Sequence, residues 1–437
     1  MIFAVGVAIA ALALAEIAIF TSRFSILAPW LILLVFLWQA FTMSLTKVSL
    51  GILNVYPQDA VFIILAMVGI VRLVMRNKFT YVHILWLFLG FLIMFSFARG
   101  VAIHGFESAG VELREFFYFF AGALYFMNFP TGSQHLKRLT LAWLCVAGAL
   151  FLLALFRWAA GGLSLGIPQP WLETGHGGLR VLNAAQALFL FQAFLVSLFL
   201  KFVPDSSRLW RSFSSVLLPV VVLLQHRTVW VLALVATMLA AFQQGKVRRR
   251  VAYILTSAVV AGAIFGLVVF GENISKIPDS LSASVDEAIN KSDSTFIWRV
   301  ESWSALLAER SSFGYSDYLF GKPFGSGYVR KVWDFERTET PHNYYIQTFL
   351  RLGVFGLIAL LCTYAILISR LAQSASYKAS GYFGGRLVYI LLMTQLIFFI
   401  TYSPSYEQGI VLGLAMALCM KRDEDGVGDQ DEQARIA

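Results

Sequence analysis

The stretch Thr340-Pro341-His342-Asn343 lies between a polar segment, residues 271–341, and a long apolar run, which puts a histidine where a membrane helix would meet water. Thr340 can cap a helix and Pro341 suits a first turn, so the spacing predicts His342 and Asn343 among the free backbone N–H groups of that turn. The positive helix end disfavours imidazolium there, leaving a neutral imidazole suited to general-base work. Arginines stand at similar boundaries: Arg180 at the mouth of one apolar run, Arg227 directly after Gln225 and His226 at the end of another, and Arg299 on a helical stretch of the polar segment. Each guanidinium offers a fork of donors and a permanent charge, and two or three together can bind a pyrophosphate. A base plus guanidiniums suits glycosyl transfer from a lipid-linked pyrophosphate, with the arginines stabilising charge on the leaving group and no metal required. Taken singly, each residue has a plainer reading: a snorkelling Arg227, an Arg299 paired with Glu301 or Glu309, an interfacial anchor at Arg180, and a His342 making a structural hydrogen bond.

The elements that must position these residues are membrane helices. With 59% hydrophobic and 14% charged residues and a mean hydropathy of +0.73, the chain is too apolar for an ordinary soluble globule. Apolar runs at 2–20, 26–45, 60–75, 82–98, 116–129, 136–160, 181–203, 213–224, 229–242, 251–270, 344–368, 387–402 and 406–420 approach the length of a bilayer crossing, although Pro219 interrupts the short run at 213–224. The reading is an all-α polytopic membrane protein of about 12 transmembrane helices, with a large, partly helical periplasmic loop before the C-terminal helices. Its divisions are 1–270, N-terminal transmembrane helices; 271–341, the periplasmic loop carrying catalytic elements; 342–420, C-terminal transmembrane helices; and 421–437, a disordered, acidic cytoplasmic tail.

Basic loops, above all Lys246-Val247-Arg248-Arg249-Arg250, mark the cytoplasmic side, with Arg72, Lys137, Arg138, Arg208, Arg211, Arg370 and Arg386 in agreement. The alternation places Arg180, Arg227 and the 271–341 loop on the opposite face. Met1 begins an apolar run without a basic leader, which argues for a retained first helix. The net charge of +9 is explained by those loops, so nucleic acid is excluded as a partner. Cys145, Cys362 and Cys419 fall in apolar runs and lack metal-ligand spacing, and the expectation is buried thiols. Asp59, His83, Glu112, Arg114, Glu115 and Glu16 lie in or beside membrane segments, where structural pairing is expected, particularly around Arg114.

Within the loop, Phe296, Val300, Trp303 and Leu307 recur at helical spacing behind a Ser294 cap, with Arg299 bordering the stripe. The following Gly321-Lys322-Pro323-Phe324-Gly325-Ser326-Gly327 is a turn that brings backbone near a ligand, but it lacks the ending of a phosphate-binding P-loop.

These residues carry a resemblance. Arg299-x-x-x-Trp303, Phe320-Gly321-x-Pro323-x-Gly325-x-Gly327, His342-Asn343-x-x-x-Gln347 and Leu352-Gly353-x-x-Gly356 resemble, in order, the arginine, glycine-turn and His-Asn signature of the O-antigen ligase and O-antigen polymerase superfamily of bacterial envelope enzymes. The match extends to Arg227 and, more loosely, to Arg180, where Leu182 precedes Asn183 instead of the usual proline. The resemblance implies an inner-membrane O-antigen ligase with its active site facing the periplasm. Such an enzyme moves polysaccharide from undecaprenyl pyrophosphate to lipid A–core, with membrane lipids around it and no cofactor or metal. His342 would be the base and Arg180, Arg227 and Arg299 the pyrophosphate ligands. Gln225, Trp303, Asn343, Tyr344 and Gln347 would support them, Asn343 by orienting His342 or capping its helix and Tyr344 or Gln347 by contacting sugar. An O-antigen polymerase using the same donor and a lipid-linked sugar flippase or transporter are the alternatives. No internal repeat with paired broken helices points to the last.

Overall fold

The computed structural model describes residues 27–42, 48–50, 53–75, 79–162, 180–200, 203, 206–242, 295–308, 314–332, 335–374 and 384–420. The expected runs at 2–20 and 251–270, Glu16, the Lys246–Arg250 loop, the Ser294 cap and the acidic tail lie outside the described residues.

The first half of the bundle is α1 (Leu27–Thr42), a β1/β2 hairpin (Val48–Leu50, Leu53–Val55), α2 (Pro57–Val74), α3 (Tyr81–His104), α4 (Phe106–Phe126), α5 (Ser133–Gly162) and α6 (Ala184–Phe199). Pro219 falls in a short helix, α8 (Ser214–Leu223), which follows α7 (Arg208–Ser212) and leads into α9 (Arg227–Phe242). The segment after α9 forms α10 (Thr295–Ala308), α11 (Tyr315–Phe320) and an antiparallel hairpin of β3 (Arg330–Val332) and β4 (Phe335–Arg337). The bundle ends with α12 (Tyr344–Ser374), α13 (Gly385–Phe398) and α14 (Gln408–Met420). Among the described residues the fold is all-α apart from the two hairpins, and α2, α3, α5 and α12 contain stretches long and apolar enough to cross a membrane.

Helices in lipid associate by close contact rather than by a hydrophobic drive, and small residues permit it. Gly409 and Gly413 of α14 lie one turn apart against the backbone of α4: a Cβ on Gly409 would come 2.8 Å from Phe119 O, and one on Gly413 2.5 Å from Ala123 O. Asn183 caps α6 reciprocally with Gln186, and the Thr80 N–H donates to His83 Nδ1 at the start of α3, a structural use of that histidine. Around Arg114 the expected pairing is present: Arg114 Nε donates to Asp59 Oδ1 at 3.0 Å, and the Tyr118 hydroxyl donates to the same oxygen. Of the cysteines, Cys419 is buried and Cys145 half-buried, whereas Cys362 is exposed on α12, so burial of all three thiols is not what the structure shows.

The segment carrying α10, α11 and the hairpin is pinned to the bundle by a largely enclosed carboxylate. Glu112 on α4 accepts from the backbone N–H groups of Gly325 at 3.0 Å and Gly327 at 2.8 Å, and from Arg351 Nε at 2.5 Å. Arg351 also donates to Gly327 O and lies 4.1 Å from the Tyr328 ring centroid. The glycine turn thus binds the protein's own carboxylate, which corrects the expectation that it approaches a ligand. Gly321 and Gly353 both have positive φ, 79° and 66°, and a Cβ on either would meet backbone at 2.2 Å: Arg351 C from Gly321, Leu319 O from Gly353. Gly353 therefore breaks α12 into two helices where the turn presses against it.

Arg351 is 1% exposed and the Glu112 side chain 13%. Removing one member leaves the other buried and uncompensated, so Glu112→Ala is expected to destabilise the detergent-solubilised protein by about 3–5 kcal/mol. Adding Arg351→Ala to Glu112→Ala should then cost much less than its effect alone, and additive losses in melting experiments would disprove the coupling.

Candidate functional site

Helix α12 starts at Tyr344, not earlier. Asn343 is its cap, accepting the Ile346 N–H on Oδ1 at 3.0 Å, while its carbonyl accepts the Gln347 N–H at 2.9 Å. Thr340 is thus not the cap, and His342 precedes the helix in a left-handed conformation, φ 51°. A non-glycine residue holds that conformation only when its surroundings fix it. The neighbours do so: Trp303 Nε1–H donates to Pro341 O at 2.7 Å, and Arg330 Nη1 donates to Glu339 O at 2.6 Å.

The imidazole of His342 is pushed down to about 4, first by burial and then by the charges of Arg299 and Arg330, with Glu339 opposing. The neutral imidazole expected from the sequence is present, but its neutrality comes from desolvation and guanidiniums rather than from a first helical turn.

Helix α10 delivers Arg299. Its inward face runs through Ser302, 1% exposed, and Leu306, 2% exposed, while Val300 is 39% exposed. The apolar stripe is therefore rotated by one residue from the expected one, and Arg299, one turn before Ser302, joins the inner face instead of bordering it. Its guanidinium lies 4.9 Å from the Tyr402 ring centroid. Arg299 makes no ion pair among the described residues; Glu301 is exposed, and Glu309 lies outside them.

Arg330, on β3, gave no signal in the sequence because Arg330-Lys331 reads as ordinary loop charge. The strand alternates, burying Arg330 and exposing Lys331. Arg330 Nε donates to Ser302 Oγ at 2.5 Å and Nη1 to Tyr328 O at 2.9 Å, so it ties the hairpin to α10 and to the segment before His342.

The other two arginines arrive from α9 and the segment before α6. Gln225, fully buried and at φ 55°, forms the turn before α9 and accepts Arg180 Nη2 on its carbonyl at 3.0 Å. His226 Nε2–H donates to Leu182 O at 2.8 Å, and Arg157 Nη1 supports the same segment by donating to Val181 O at 2.7 Å. Arg227 opens α9. The next residue, Thr228, shares a hydrogen bond of 3.0 Å with Thr401, and Tyr402 beside it carries Arg299. The loop Thr401-Tyr402-Ser403 thereby joins the Arg180–Arg227 side to the Arg299–His342 side.

Tyr344 and Gln347 face the other way. Tyr344 is 1% exposed, with its ring 5.1 Å from Phe399 and 5.6 Å from Phe116. Gln347, also 1% exposed, donates to Glu115 Oε2 at 2.6 Å and accepts from Ser403 Oγ at 2.8 Å. Both are packing and bridging residues rather than contacts for a sugar. Among the described residues, no group of His, Cys, Asp and Glu is placed to hold a metal ion.

No curated protein matches the chain. A family model described as O-antigen ligase matches residues 213–361, a minority of the chain that includes Arg227, Arg299, Arg330, His342 and Arg351 and leaves out Arg180, Glu112 and Thr401–Ser403. The motif resemblance and this match agree, and the match is consistent with a member of the O-antigen ligase and polymerase superfamily.

Proposed function

We propose that the protein is an O-antigen ligase: an inverting, metal-independent glycosyltransferase of the bacterial inner membrane. It would move completed polysaccharide from undecaprenyl pyrophosphate to lipid A–core at the periplasmic face, within a bundle of about 12 transmembrane helices. The observation that carries this reading is a neutral imidazole, His342, beside an Arg299 guanidinium that no described carboxylate neutralises. Uncompensated guanidiniums call for an anion, and a diphosphate supplies one in the chemistry that the family match favours.

In the proposed step an acceptor hydroxyl attacks the anomeric carbon of the donor. Its proton passes to the free nitrogen of His342 as the new C–O bond forms. The bond to the diphosphate breaks on the opposite face, and the electron pair leaves with the diphosphate, whose charge Arg299, Arg227 and Arg180 stabilise. Configuration at that carbon inverts. Bound diphosphate also offsets the positive field on the imidazole, raising its basicity when the donor is in place.

Purified protein mixed with lipid-linked O-antigen and lipid A–core in detergent plus chelator should give a ladder on a gel. His342→Ala should reduce the rate about 10²–10⁴-fold without loss of folded protein. Undiminished ligation by that variant would remove His342 as the base, and a ladder formed only with lipid-linked repeats as acceptor would identify a polymerase instead.

The depressed imidazole gives a second expectation. His342 must be neutral to act, so kcat/KM should hold on the acid side until pH approaches about 4. Arg299→Gln removes a positive neighbour and stabilises imidazolium, so the acid limb of the residual activity should move to higher pH. An unmoved limb would show that Arg299 does not act on His342.

A further inference from the structure

The Arg330 side chain has more donors than its structural duties use. A guanidinium carries five N–H groups. Arg330 commits Nε to Ser302 Oγ and Nη1 to the carbonyls of Tyr328 and Glu339, but its Nη2 is buried with no acceptor. The residue is 5% exposed, so water does not substitute freely. A buried donor without an acceptor is strongly disfavoured, and a charged one more so.

The surroundings deepen the imbalance. Arg330 stands directly opposite Arg337 in the hairpin register, a like-charge pairing that is unfavourable in itself. Arg337 Nε is likewise buried without an acceptor. Arg299 adds its charge on the other side of His342, and the nearby carboxylate is Glu339, whose side chain is 52% exposed and 3.8 Å from Arg337. Among the described residues guanidiniums therefore outnumber carboxylates around the imidazole, and one of them presents a spare pair of donors. A purely structural tie between α10 and the segment before His342 requires neither the spare donors nor the charge.

We propose that Arg330 is a further anion-binding residue of this site, its Nη2 donating to the diphosphate of the lipid-linked donor alongside Arg299. This rests on the glycosyl-transfer reading above. The same side chain ties Ser302 to Glu339, so it holds Arg299 and His342 in register while contacting the leaving group; no bond to carbon is made or broken at Arg330.

The test is direct binding of inorganic pyrophosphate to the full-length protein in detergent, measured by calorimetry at two salt concentrations, without turnover. Wild-type protein should bind, and Arg330→Gln, with an unchanged melting temperature, should bind about tenfold or more weakly, the effect of losing one charge-assisted hydrogen bond. Lys331→Gln removes a positive charge from the exposed face of the same strand and should leave the affinity unchanged. Equal affinity in folded Arg330→Gln, or an equal loss in Lys331→Gln, overturns the inference while leaving the glycosyl-transfer reading standing. Absence of binding by the wild type overturns both. Should Arg330→Gln not fold, Arg330→Lys keeps the charge and loses the fork: several-fold weaker binding supports the assignment, and wild-type affinity overturns it.

Discussion

The Glu112 carboxylate, seated against Arg351 and the N–H groups of Gly325 and Gly327, is the joint on which placement of the site depends. An ion pair at this depth earns stability only when its remaining hydrogen-bonding positions are filled. Here the glycine turn fills those of Glu112, and the Gly327 carbonyl accepts from Arg351. The pairing thus dictates where the turn must lie, and the turn dictates where Tyr328, the hairpin and Arg330 follow. Because Arg351 sits in the short first part of α12, the same joint fixes the helix whose cap immediately follows His342.

The site itself is organised around an excess of positive charge. Each guanidinium near His342 disfavours imidazolium, and burial does so more strongly. Left unoccupied, that environment makes a weak base; an anion placed among the guanidiniums offsets their field and strengthens it. In the proposed reaction, the binding of a charged leaving group and the readiness of the base would therefore be one electrostatic problem. The left-handed backbone at His342 belongs to the same solution, since Trp303 and Arg330 hold the carbonyls on its N-terminal side and the Asn343 cap holds the other.

Residue type and order in the sequence were enough to single out His342, Arg227 and Arg299 as candidates, because a charged group beside an apolar run is conspicuous. Local periodicity also located α10, but it aligned the stripe on Val300 when the buried face runs through Ser302 and Leu306. A hydroxyl on the inner face disguises that face, and only the Arg330 side chain that Ser302 accepts explains why it is there. The cap was misplaced for a related reason: Thr340 and Asn343 are both good caps, and local propensity cannot choose between them. Glu112–Arg351 joins residues far apart in the chain, so no window of sequence contains the pair. Gly409 and Gly413, a small-residue pair at helical spacing, were not singled out in the sequence, and their meaning emerges only from the backbone of α4 against them.

The segment that the O-antigen ligase model matches, 213–361, does not complete this arrangement by itself. Its glycine turn and Arg351 are satisfied by Glu112, and Gln347 is bound by Glu115, both from α4. Its α9 and Arg299 meet through Thr401 and Tyr402, which follow α13, while Ser403 in the same loop closes on Gln347. Helices before and after the matched segment thus supply the acceptors and the bridging loop, and the segment supplies His342 with Arg227, Arg299 and Arg330. Separating the two would leave Arg351 without its carboxylate and Arg299 without its ring, so the chemistry carried by a minority of the chain depends on the packing of the rest.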